Sequence, residues 1–127
     1  MVHTEIDLSK RLIVASFSGE IGYAELQEWQ LGLSATPDFA PDFFGVADFR
    51  RASVRITTEG LQRIDQISAE RLMPSGKWAL LVNSPHEAAL AAQYIHIKND
   101  KHPLSYFNTV RAASEYLGVD LSEYLRD

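Results

Sequence analysis

Cysteine is absent from the 127 residues. Neither a disulfide framework nor a thiolate metal site can form, which fits a cytoplasmic location. Basic residues are outnumbered: 12 Lys and Arg stand against 17 Asp and Glu, a formal net charge of −5. That balance speaks against a nucleic-acid binder and against attachment to an anionic membrane, while a local basic patch stays open. No stretch approaches the ~20 apolar residues of a membrane-spanning helix, so no integral membrane association is expected. The first residues include His3, Glu5 and Asp7 instead of a basic start and an apolar run, so no signal peptide is expected. Gly-x-Ser-x-Gly, a phosphate-binding glycine loop and a dinucleotide fingerprint are all missing. So are repeats, low-complexity segments and flexible linkers. What is present is ordinary globular composition, 46% hydrophobic and 23% charged, in a length that suits one domain over residues 1–127.

The hydrophobic pattern alternates between two periods. Val2, Thr4 and Ile6 alternate with polar neighbours, a short strand. After a turn at Asp7 to Lys10, residues 11–19 form a stronger strand in which Leu12 to Phe17 is nearly continuously apolar, as in a strand covered on both faces. The short link makes these two an antiparallel hairpin. With Glu20 to Gly22 as a connector, Tyr23, Leu26, Trp29 or Gln30, and Leu33 fall at helical spacing. Pro37 and Pro41 then hold an extended link, with Phe39 as its apolar anchor. Phe43 to Phe49 reads as the central strand, residues 50–56 as a loop, and Thr57 as the N-cap of a helix. That helix carries Leu61, Ile64, Ile67 or Ser68, and Leu72, and stops at Met73-Pro74-Ser75-Gly76. Lys77 to Val82 is another buried strand. Ser84, Pro85 and Glu87 form a capping-box signature for an alanine-rich helix to about Ile97. A polar break over Lys98 to Pro103 precedes a last strand, Leu104 to Phe107, and a helix marked by Val110, Ala113 and Leu117 and closed by Gly118. The order β-β-α-β-α-β-α-β-α implies an α/β fold: a single mixed, mostly parallel sheet with covering helices and an antiparallel first strand at its edge.

Several pieces of this pattern coincide with a known family. The hairpin with Phe17-Ser18-Gly19-Glu20-Ile21, the Pro37-Asp38-Phe39 link, the strand end Val46-Ala47-Asp48-Phe49-Arg50 and the terminal stretch Ala112 to Leu117 together resemble the SpoIIAA-like proteins of the STAS superfamily. The resemblance implies a four- or five-stranded sheet with helices and a non-enzymatic role as an interaction or ligand-sensing module. The related fold group includes lipid-carrying Sec14-like domains. One feature departs from the anti-sigma factor antagonists of the superfamily, which place a phosphorylatable serine two positions after the strand-end aspartate. Here the aspartate is Asp48 and the residue two positions on is Arg50, with Ser53, Thr57 and Thr58 the next hydroxyls. The phospho-switch does not carry over.

Arg50, Arg51 and Arg55 concentrate three guanidinium groups between a strand end and a helix start. In open α/β sheets this is the crevice where ligands bind. Backbone N–H groups and the helix dipole favour an anion there, and arginine meets phosphate or carboxylate bidentately. Asp48, Arg50, Arg51, Ser53, Arg55, Thr57 and Thr58 are therefore the candidate site for an anionic ligand or an acidic protein partner, with residues 20–23 and 83–87 beside them. The plainer alternative pairs these arginines with Asp48, Glu59 or Asp42, or leaves them in water. Asp48 itself also suits a structural role, accepting backbone N–H bonds. A second functional reading is a carrier of a lipid-like or other amphipathic small molecule in an apolar pocket lined by Phe39, Phe43, Trp78 and Tyr94.

Catalysis and metal binding find little support. Glu25 with Glu28, and Asp38 with Asp42, lie on a wet helix face or an exposed link, so no enzyme is expected. His96 and His102, with Asp100 between, match no helical ligand pair, so neither a metal nor another cofactor is expected. A homodimer is compatible with base rates for soluble proteins, and Leu31-Gly32-Leu33 is a candidate patch.

Overall fold

The computed structural model describes residues 1–98 and 103–126. It contains β1 (Val2–Asp7), β2 (Leu12–Gly22), α1 (Tyr23–Ser34), β3 (Phe44–Arg55), α2 (Thr58–Ile67), a π-helical turn at Ser68–Leu72, β4 (Trp78–Leu81), α3 (Pro85–Lys98), β5 (Leu104–Phe107), α4 (Val110–Leu117) and a 3₁₀ turn at Leu121–Glu123. The five strands lie side by side in chain order. β1 is antiparallel to β2, and every later neighbour is parallel. The expected α/β architecture and element order are therefore present.

Three successive crossovers step in one direction across the sheet, so right-handed connections place α1, α2 and α3 on one face. α4 and the 3₁₀ turn cover the other, where Leu12, Val14, Val46, Ala79 and Leu81 meet Val110, Ala113, Leu117 and Leu121. On the three-helix face Ala15, Phe17, Ile21, Ala47 and Val54 meet Leu26 and Ile64. Phe17 stacks on Phe49 with ring centroids 4.3 Å apart and meets Trp29 edge-on at 5.3 Å. Trp78 covers Gly45 so closely that a Cβ there would stand 2.4 Å from the indole.

Two expectations change. Residues 50–55 are not a loop: β3 continues through Arg55, and β2 through Gly22, because each extends the other in a parallel ladder that ends at Gly22 opposite Arg55. The ladder steps from Ser16 opposite Asp48 to Ser18 opposite Arg51, so β3 carries one extra residue there. Such a bulge shifts the phase of side-chain alternation. Ala47 and Phe49 face the three helices before it, and Ala52, Val54 and Ile56 after it. Secondly, Lys98 is no part of a polar break but the buried last residue of α3.

The capping signals hold with one alteration. Thr57 Oγ1 accepts from Gly60 N–H at 3.0 Å. Ser84 Oγ accepts from Glu87 N–H at 3.3 Å; the Glu87 carboxylate turns back to the Ser84 hydroxyl and also accepts from Val54 N–H on β3 at 3.1 Å. In the proposed self-association patch, Leu31 and Gly32 are exposed and Leu33 is buried. No helix among the described residues is long and apolar enough to cross a membrane.

Candidate functional site

The predicted site residues separate into three groups. Asp48 and Arg50 form one unit: Arg50 Nε and Nη2 donate to the two Asp48 carboxylate oxygens, each at 2.9 Å, and Arg50 N–H donates to Oδ1 at 3.0 Å. Nη2 also donates to the Arg126 carbonyl at 2.7 Å, which fastens the C-terminal segment to the strand. Arg51, Ser53 and Arg55 alternate with Ala52 and Val54 and are exposed on the opposite side of β3 from the three helices. Arg55 stands 3.5 Å from Glu20 in an exposed pair. Thr57 is committed to its cap, and Thr58 Oγ1 accepts from Gln93. Of the other proposed arginine partners, Glu59 pairs with Arg63 and Asp42 with Arg11.

The flanking segments do converge on β3. β4 ends opposite Asp48, so among the described residues no strand lies beside the rest of that β3 edge. The first turn of α3 takes its place at Val54: Glu87 accepts its N–H, and the His86 ring lies 2.8 Å from its carbonyl. Because a carbonyl only accepts, His86 Nε2 is the protonated nitrogen. Burial pushes the Glu87 pKa up, but the Ser84 hydroxyl, the Val54 amide and His86 together hold it below the usual value.

Between the sheet and the three helices lies a cavity of about 120 Å³, partly open to solvent. Its walls are overwhelmingly apolar and include Leu26, Trp29, Phe39, Leu61, Trp78 and Leu80. Leu80 belongs to a strand with a neighbour on each side, yet is only half-buried, as expected where a side chain faces open space instead of a packed helix. Three of the four pocket residues expected from sequence, Phe39, Trp78 and Tyr94, line the cavity. The fourth, Phe43, does not: it packs with Ile13, Leu33 and Leu72 and is covered by the Arg11 guanidinium, 4.6 Å from its ring.

Polar side chains interrupt this wall at a few points. α3 presents Glu87, Ala91, Tyr94 and Lys98 at helical spacing to the cavity. Lys98 Nζ donates to Asp65 Oδ1 at 3.0 Å and to Ser68 Oγ at 3.2 Å, and lies 5.2 Å from the Tyr94 ring centre. Burial pushes the Tyr94 hydroxyl pKa well up, and Asp65 adds to this, against a hydrogen bond with Ser68. The hydroxyl therefore stays neutral at physiological pH. Gln30, 4% exposed, donates from Nε2 to the Ile64 carbonyl at 3.2 Å. The π turn after α2 sets Ser68 and Leu72 into the same wall. π turns recur at functional sites because their wider backbone re-aims side chains.

Gln30, Ser68, Glu87 and Lys98 were not recognisable as site residues from composition alone. Their signal is positional: each occupies the apolar stripe of its helix. Gln30 follows Leu26 by four residues and precedes Leu33 by three, and Lys98 follows Tyr94 by four. The expected absence of a metal site rested on His96, Asp100 and His102; His96 is exposed on α3, and the other two lie outside the described residues. No group of three or more His, Asp or Glu that could hold a metal occurs among the described residues.

No protein-family model matches the sequence, and no curated protein does. Solved structures do match the fold. One is an uncharacterised protein of the DUF3478 family with a SpoIIAA-like fold from Shewanella loihica PV-4, with a TM-score of 0.62 and 9% identity over 91% of this chain and 93% of that one. Another is the anti-sigma factor antagonist SpoIIAA in its unphosphorylated form, with a TM-score of 0.54 and 15% identity over 91% of this chain and 96% of that one. The chain has a SpoIIAA-like fold.

Proposed function

We propose that the protein is a non-enzymatic binding module, and that its ligand is a small apolar or amphipathic molecule held between the sheet and α1, α2 and α3. The cavity carries this reading. Protein interiors are close-packed, and a partly open apolar pocket of about 120 Å³ leaves its lining short of contacts that a folded chain normally keeps. An apolar cavity of roughly 150 Å³ suffices to bind a molecule the size of benzene. The buried charges beside it, Glu87 and Lys98, are each held by internal partners, an arrangement that suits positioning better than reaction. The SpoIIAA-like fold agrees with an interaction or sensing role.

Native mass spectrometry of the freshly purified protein, before and after mild denaturation, tests the reading directly. A retained small-molecule mass that disappears on denaturation is expected. A clean apo spectrum, together with no rise in melting temperature on adding toluene or indole, would remove it.

A second reading has its own observation. Arg51, Ser53 and Arg55 recur at every second position on an exposed strand face, the spacing that aligns side chains on one surface. This row suits an acidic patch on a partner protein. Replacing both arginines with alanine is expected to weaken capture of such a partner without unfolding the domain. Undiminished capture by the double variant would dismiss it.

A further inference from the structure

β1 is an edge strand, and among the described residues no strand lies on its outer side. Sheet edges invite pairing, and proteins normally blunt them with lysine, proline, a bulge or a very short strand. β1 has none of these. Its six residues, Val2–Asp7, include no Lys, Arg, Gly or Pro, and their register against β2 runs without a shift. Of its charged side chains, Asp7 is engaged by Ser9 and Tyr124, which leaves Glu5. β5, at the other edge of the sheet, has only four residues.

The ladder fixes which backbone groups point outward. Met1 and Ser18 exchange bonds in both directions, at 2.8 and 2.9 Å. In an antiparallel pair such exchange recurs at every second residue. His3 and Glu5 therefore bond inward to β2, and the N–H and C=O groups of Val2, Thr4 and Ile6 point outward. The side chains of these three face the helices: Val2 and Ile6 pack on the core, and Thr4 Oγ1 accepts from Trp29 Nε1 at 3.0 Å. His3 and Glu5 stand exposed on the other face. A second copy of β1 can bond to the outward groups only if members of the set Val2, Thr4 and Ile6 lie opposite one another. The symmetric registers that overlap most of the strand are centred on His3, Thr4 or Glu5. The first opposes His3 to itself, and the last opposes two carboxylates. The register centred on Thr4 sets His3 opposite Glu5 on both sides of the axis, Val2 opposite Ile6, and Thr4 opposite Thr4. His3 and Glu5 then occupy non-hydrogen-bonded positions, about 4.5 Å apart between Cα atoms, where His3 can donate to the carboxylate.

We propose that the protein forms a symmetric dimer in which β1 pairs antiparallel with β1 of a second copy, centred on Thr4, so that the two sheets join into one. The charge of Glu5 is met, and the half-buried Val2 and Ile6 cover each other. The twofold axis stands perpendicular to the sheet, so α1 and its copy lie on the same face and run antiparallel. The groove between β1 and α1 leaves room for this approach. Val2, Thr4, Ile6 and Gly32 line it, and nothing stands within 4 Å of where a Gly32 Cβ would be. Because the helices are antiparallel, Glu25 near the start of one lies toward Gly32 and Thr36 at the end of the other, not toward its own copy.

Sedimentation velocity of the full chain, with any tag at the C-terminus, tests the pairing from micromolar to millimolar concentration. The wild type is expected to dimerise reversibly. Thr4→Pro removes the outward N–H at the axis and no bond to β2, and proline is tolerated where an edge N–H faces solvent. Circular dichroism is expected to show this variant folded, and sedimentation to show it monomeric. His3→Glu sets carboxylates against each other, and His3→Lys combined with Glu5→Lys sets ammonium groups against each other. Each is expected to weaken the dimer roughly tenfold. An equimolar mixture of the two is expected to restore it, because every glutamate then lies opposite a lysine. A wild type that stays monomeric throughout overturns the proposal. So does a dimer that survives Thr4→Pro, or a mixture that fails to re-associate. Open-ended assemblies would mean that the edge pairs without a twofold axis, and they overturn it as well. Should Thr4→Pro not fold, the exposed charge variants and their mixture decide.

Discussion

Arg50 and Asp48 are two residues apart on β3, and the guanidinium of one closes on the carboxylate of the other through two bonds of 2.9 Å. The pair is largely sheltered, with side-chain exposures of 13% and 12%. It also carries the Arg126 carbonyl. A basic residue that ends a strand in the sequence thus becomes a structural bracket. Removing one half leaves the other desolvated without its partner. Asp48→Ala is expected to lower unfolding free energy in urea by about 2–3 kcal/mol, below the range for fully buried pairs because some solvent reaches this one. Arg50→Lys keeps the charge and loses the bidentate geometry, so it is expected to cost less than Asp48→Ala but still measurably. Neither change is expected to alter toluene or indole binding, since neither residue lines the cavity.

Lys98 and Asp65 make a second sheltered pair, this one bordering the cavity. Lys98→Met is expected to destabilise by about 3 kcal/mol, because Asp65 keeps its charge with no counter-ion. Combining it with Asp65→Leu is expected to recover most of that loss. Urea titrations of the two single variants and the double variant test the coupling; simple addition of the two single losses would contradict it.

Ala91 faces the cavity from the middle of the α3 stripe and is itself buried. Ala91→Leu is expected to occupy the space a ligand would use. The melting temperature should hold or rise, corresponding to about 0.5–2 kcal/mol for a filled cavity. Probe binding should disappear in the same variant. Loss of binding accompanied by a large drop in stability would mean overpacking instead of filling.

Low pH has a defined effect. The Tyr124 hydroxyl, then that of Ser9, hold the Asp7 pKa down at about 2. An unfolded aspartate titrates at about 4. Because the folded value is the lower one, the contribution is complete above about pH 4 and is lost as pH falls toward about 2. Glu87, also lowered, acts in the same direction. Asp7→Asn is expected to be less stable than wild type at neutral pH, with the gap closing as urea midpoints are followed down through that window. A gap that is constant with pH would rule out this linkage.

Local chemistry accounts for what was readable in the sequence. Thr57 and Ser84 cap helices through bonds to residues three positions away, and a three-residue signal is visible in any sequence. Strand cores such as Trp78 to Leu81 are short apolar runs, equally visible. The length of β3 was not visible, because Arg50 to Arg55 is a polar, arginine-rich stretch held in strand form by a partner some thirty residues earlier. Phe39, Trp78 and Tyr94 were rightly placed at a pocket because aromatics at the ends of elements converge there. Phe43 was misplaced because it packs beside the pocket and not into its wall, between Ile13, Leu33 and Leu72 with the Arg11 guanidinium over its ring. Gln30 and Lys98 were hidden for a different reason. A polar residue on an apolar stripe signals burial only once its partners, the Ile64 carbonyl and Asp65, are known, and both come from another helix. The Arg51, Ser53 and Arg55 row is legible as chemistry, but its outward aim depends on the single extra residue of the bulge.

The two faces of the sheet are finished at different times during synthesis. α1, α2 and α3 precede β5 in the chain, whereas α4 and the turn at Leu121–Glu123 follow it. A nascent chain that has emerged through β5 can close the three-helix face but still shows Leu12, Val14, Val46, Ala79 and Leu81 to the cytosol or to any compartment in which it is made. At roughly 5–20 residues per second this apolar plane stays open for about a second or more. α4 is therefore the element that takes this apolar plane out of water, and damage confined to α4 would be felt first as aggregation of new chains.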